Sequence, residues 1–63
     1  MKELDYLIKE FKEAIEVNAQ SVIAGRPQTI EEYRQVVGTI RGLESAIQIT
    51  KDLVHRLENS DDD

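Results

Sequence analysis

Sixty-three residues with 13 acidic and 8 basic side chains, a net charge of −5, allow one small domain and no more. A composition of 40% apolar and 33% charged residues is that of a soluble folded chain, and the absence of cysteine excludes a disulfide framework or a thiolate metal site. No run approaches ~18 consecutive apolar residues, so no segment is expected to span a membrane.

The N-terminal stretch MKELDYLIKEF interleaves acids with apolar residues. A signal peptide needs a basic start followed by an uninterrupted apolar run, so a cytoplasmic protein is expected. Leu4, Ile8, Phe11, Ile15 and Val22 recur at spacings of four and three, with Asn18 in the missing step. That spacing marks one face of a helix over about residues 2–23, which Leu7, Ala14 and Ala19 widen. Asp5/Lys9 here and Asp52/Arg56 further on stand acid before base at i,i+4, the orientation that favours ion pairs.

The sequence AGRPQT follows, placing a turn at 24–28. Gly25 can adopt the left-handed conformation that ends a helix, and Pro27 stops its continuation. Thr29 and Glu32 form a T-x-x-E capping box, in which the Thr29 hydroxyl accepts from the Glu32 amide and the Glu32 carboxylate reaches back to the Thr29 amide. So short a connection between two long helices makes them antiparallel neighbours.

The second helix is expected over about residues 29–58. Tyr33, Val36, Ile40, Leu43, Ile47, Thr50, Val54 and Leu57 alternate spacings of three and four without a break. With Tyr33 at heptad position a, the a residues are Tyr33, Ile40, Ile47 and Val54, and the d residues are Val36, Leu43, Thr50 and Leu57. Asn18 and Thr50 are the polar insertions of the two stripes, either at a wet edge or setting register by hydrogen bonds across the seam. The second helix is the longer, about 45 Å against about 33 Å, so the turns holding Leu53, Val54 and Leu57 are expected to project past the first.

Gly38 and Gly42 sit inside this helix, where each glycine costs about 1 kcal/mol relative to alanine. They fall at f and c, away from the seam, and with Ser45 (f) and Ile49 (c) make a strip of small residues beside an isoleucine. A solvent face that tolerates glycine explains two of the four; close approach of another helix explains all of them. A single seam between two helices is also a small core for a chain of this length. The expectation is therefore an all-α, antiparallel two-helix hairpin that completes its core by oligomerisation into a helical bundle. Gly38, Gly42, Ser45, Ile49, Leu53, Val54 and Leu57 form the expected partner interface.

Catalytic and ligand-binding signatures are missing. His55 is the sole histidine, at an outward b position. Asp52 and His55 make a D-x-x-H that matches a bundle metal motif only loosely, with aspartate for glutamate and no inward glutamates beside it. There is no phosphate-cradling glycine loop or nucleophile elbow, and Ser21, Ser45 and Ser60 lack an evident base. No enzyme activity, cofactor, metal or small-molecule substrate is expected. Asp61, Asp62 and Asp63 hold three of the five net negative charges and read as an acidic disordered tail, residues 59–63, serving solubility. Three aspartates are few for mimicry of nucleic-acid phosphates. The negative chain also opposes phosphate binding, and Arg34 and Arg41 read as isolated solvated cations, so no nucleic-acid partner is expected.

The segment EEYRQVVGTIRGLESA resembles part of the small helical proteins encoded by short-tailed double-stranded DNA bacteriophages, on Tyr33, Gly38, Ile40, Arg41, Gly42, Leu43 and Glu44. The resemblance covers about half the chain, together with the acidic end. It implies a phage origin, in the infected-cell cytoplasm or the particle. The corresponding roles are a minor structural component of a phage particle, or an accessory factor that binds and modulates a host protein.

Overall fold

In a computed structural model, which describes residues 1–60, the chain forms α1 (Lys2–Ile23) and α2 (Ile30–Asn59) packed against each other as an antiparallel hairpin. There is no strand among the described residues. Asn59 is the last residue of α2, and Ser60 caps it. The expected tail residues Asp61–Asp63 lie outside the described residues.

The turn is built by its own residues. Gly25 has φ +74°, its amide donates to Val22 O at 2.9 Å, and the Arg26 amide donates to Ser21 O at 3.1 Å. These two bonds satisfy carbonyls that α1 would leave open, the pattern of a left-handed helix stop. A side chain at residue 25 would meet nothing within 4 Å, so its only penalty is backbone conformation. Gly25→Ala is therefore expected to cost about 1–2 kcal/mol, read by thermal or chemical denaturation. A neutral result would mean the turn tolerates another backbone path.

Thr29 begins α2 in extended conformation, and its hydroxyl accepts from the Glu32 amide at 3.1 Å. The return bond differs from the expected one. The Glu32 carboxylate accepts from the Gln28 amide at 2.8 Å, one residue before Thr29. The effect on the helix start is the same, since another amide ahead of the first turn gains an acceptor. Thr29→Ala is expected to cost about 1 kcal/mol by removing the cap. Helix content measured by circular dichroism during denaturation checks it.

The seam is lined from α1 by Leu4, Ile8, Phe11, Ile15 and Val22, and from α2 by Val36, Ile40, Leu43, Ile47 and Val54, all partly covered. Tyr33 departs from the expected seam and remains 50% exposed. Its ring carries a hydroxyl that favours water, and the position lies in the first turn of α2. Asn18 and Thr50 make no bond across the seam. Asn18 Nδ2 donates to Ala14 O and Thr50 Oγ1 to Ala46 O, each at 2.8 Å within its own helix. A side chain that can reach the carbonyl four residues back is satisfied locally and has no need of a partner helix. The two expected i,i+4 ion pairs do not form either. Asp5 lies 3.9 Å from the Met1 amino group, and Asp52 accepts from Gln48 Nε2 at 2.9 Å.

Candidate interaction surface

Two helices side by side form one layer, and one layer has no interior. Among the described residues no side chain is fully buried. The principal extents are 53 × 18 × 11 Å and the radius of gyration is 15.3 Å, against about 11 Å for a compact chain of this length.

The expected interface residues do not all share one surface. Gly38 and Ser45, at f, point away from α1 and are exposed. Gly42 and Ile49, at c, lie closer to one margin of the seam, and Ile49 is 68% exposed. Leu53, at g on that same margin, is 40% exposed, and Leu57, at d on the end of α2, is 36% exposed. Val54 is partly covered in the seam. A Cβ added at Gly38 or Gly42 would meet nothing within 4 Å, so packing against α1 requires neither glycine.

Combining the two helices reveals an asymmetry that neither shows alone. In an antiparallel pair the g positions of both helices lie on one side of the seam and the e positions on the other. With Leu4, Phe11 and Asn18 at d in α1, the g residues are Leu7, Ala14 and Ser21; in α2 they are Glu32, Thr39, Ala46 and Leu53. Of these seven only Glu32, in the first turn of α2, carries a charge. On the opposite side, Asp5, Lys12, Glu44, Lys51 and Glu58 occupy five of the eight e positions. The c positions of α2 next to its g row are Gln35, Gly42 and Ile49, also uncharged down to Arg56, which begins the last turn. The g side is thus largely apolar or small along α2 beyond its first turn, while on α1 its c row carries Glu3 and Glu10 before the exposed Val17; the e side is the more densely charged.

Of the seven expected interface residues, Gly42, Ile49 and Leu53 lie toward the g side, Leu57 at the end of α2, Val54 in the seam, and Gly38 and Ser45 on the outer face; Leu7, Thr39 and Ala46 share the g side. The difference in charge between the g and e rows was present in the sequence, and the glycine spacing drew attention away from it.

The surface hollows are shallow. One runs along the outer face of α1 over Asp5, Ile8, Lys12 and Glu16, and another is a mostly apolar dip at Lys2, Glu3, Tyr6 and Leu7. The second opens beside Leu7 of the g row, with Lys2 and Glu3 at its rim. His55 Nε2 lies 3.2 Å from Asn59 Nδ2, which also donates to His55 O at 2.8 Å. No group of three potential metal ligands occurs among the described residues, and none of their helices is long and apolar enough to cross a membrane. No family model matches the chain, and comparison with curated proteins and with solved structures likewise gives no match.

Proposed function

We propose that this chain is a non-catalytic helical interaction module whose apolar side is completed by protein in a larger assembly. One observation carries the reading: a regular hairpin with no buried side chain among its described residues, on which Leu7, Val17, Ile49 and Leu53 stand exposed along one side of the seam. Its accessible surface is 5140 Å², about 1,000 Å² above the ~4,100 Å² of a compact monomer of its mass. Apolar surface gathered in this way marks a protein contact. The resemblance of residues 31–46 to small proteins of short-tailed phages supports a phage particle as the assembly, with this chain a minor structural or assembly component.

Quantitative mass spectrometry of purified particles tests the assignment. A fixed number of copies per particle supports it. Absence from particles together with recovery on a single host protein from infected cells overturns it in favour of an accessory factor that modulates that host protein.

A further inference from the structure

We propose that the g-row side of the hairpin mates with the same side of a second copy about a two-fold axis at Ala46, giving an antiparallel four-helix bundle. The inference rests on the interaction-module reading and names its partner.

The α2 margin is complementary to itself. Gln35 and Leu57 stand eleven residues either side of Ala46, and Thr39 and Leu53 stand seven either side. Gly42 is four before Ala46 and Ile49 three after. The N-terminal half of the margin is therefore small or polar, and the C-terminal half is large and apolar. Antiparallel pairing about Ala46 brings Leu53 of each copy level with Thr39 of the other, and sets Ile49 in the hollow beside Gly42. Parallel pairing would instead stack leucine on leucine and leave the glycines facing each other across a gap. Small against large is the packing that fills space between helices.

α1 agrees with the same axis. Counting equally from Ile23 and Ile30 puts Leu7 level with Ala46 and Ala14 level with Thr39. A two-fold axis in the plane between the layers sets α1 on α1 and α2 on α2, so the central layer holds two Leu7 and two Ala46 side chains. Leu7 is 40% exposed in the single hairpin and has no other cover. The last turns of α2 extend past Met1 and in this arrangement meet the first turns of the partner's α2. The charged e rows stay in water on both outer surfaces.

The area required is present. A stable pair buries about 800 Å² per partner, and each hairpin has about 1,000 Å² more surface than a compact chain of its mass. The helices α2 overlap over nearly their whole length about this axis, which suits a contact of that size.

Sedimentation equilibrium at micromolar concentration, with spin labels on Ser45→Cys and Arg56→Cys, tests the pairing in a chain that has no cysteine of its own. The expected result is two copies, with Ser45 labels close and Arg56 labels separated by about 30 Å along the helices. Gly42→Leu is expected to weaken pairing at least tenfold, while Ser45→Leu on the outward face leaves it unchanged. A Cβ at residue 42 meets nothing in the single hairpin, and helix content equal to the parent's by circular dichroism shows that loss of pairing by Gly42→Leu does not come from misfolding. Arg56 labels in close contact, or full pairing by Gly42→Leu, overturn the arrangement. A monomer overturns self-pairing. If that monomer melts without cooperativity, the module reading stands with a different partner; if it melts cooperatively, that reading falls as well.

Discussion

Leu43→Ala is expected to lower stability by about 2–5 kcal/mol at concentrations where the hairpin is assembled, and by about 1 kcal/mol where it is not. The difference follows from where water can go. In the single hairpin Leu43 is only partly covered, so truncation forfeits part of the transfer free energy and solvent enters the space. With a second layer over the seam, the same truncation leaves a cavity whose walls cannot collapse, and the cavity adds to the transfer loss. Chemical denaturation at two protein concentrations separates the two values. A loss below about 0.5 kcal/mol at both would put the seam on another face of α2.

Much of the hairpin was legible because its signals are local or strictly periodic. Val36, Ile40, Leu43, Ile47 and Val54 repeat at spacings that only a helix brings to one face, and they line the seam. Gly25 and the Thr29 hydroxyl behave as their residue types dictate, because turn and cap geometry depend on a few neighbouring atoms. Less legible were choices between competing local partners, some left open and some departing from expectation. Asn18 and Thr50 could have bonded across the seam, yet a carbonyl one turn back is always within reach in a helix. Glu32 found the Gln28 amide instead of that of Thr29, a displacement of one residue that the T-x-x-E spacing does not resolve. Asp5 and Asp52 took the Met1 amino group and Gln48 instead of their lysine and arginine, since exposed ion pairs gain little over alternatives.

The candidate surface was harder to read because it belongs to two helices at once. Gly38 and Gly42 pointed to the outer face of α2, and a helix considered alone gives no reason to prefer one margin over another. Only when antiparallel packing sets Leu7, Ala14 and Ser21 beside Thr39, Ala46 and Leu53 does this row of uncharged residues become continuous. Of the expected strip, Gly42 and Ile49 border it, and Gly38 and Ser45 face away.

Leu57→Glu is expected to leave the single hairpin within about 0.5 kcal/mol of the parent and to weaken association by about 2–4 kcal/mol. Leu57 lies beyond the level of Met1, where α1 has ended, so in one hairpin its outer surface meets water. Glutamate there changes intrinsic helix propensity by a few tenths of a kcal/mol, and its charge near the C-terminal end of α2 costs a similar amount. Pairing about Ala46 brings Gln35 of the second copy over this position. The leucine then becomes buried, and a carboxylate in its place must lose water without gaining a cation, since no basic residue lies on the facing margin at that level. Sedimentation equilibrium over a concentration series reads the effect as a 30- to 1,000-fold rise in the dissociation constant, by the conversion of about 1.4 kcal/mol per tenfold. Leu57→Met keeps apolar volume and is expected to pair like the parent, which separates loss of contact from introduction of charge. Equal association by Leu57→Glu would show that the end of α2 stays in water and that any partner sits nearer the turn.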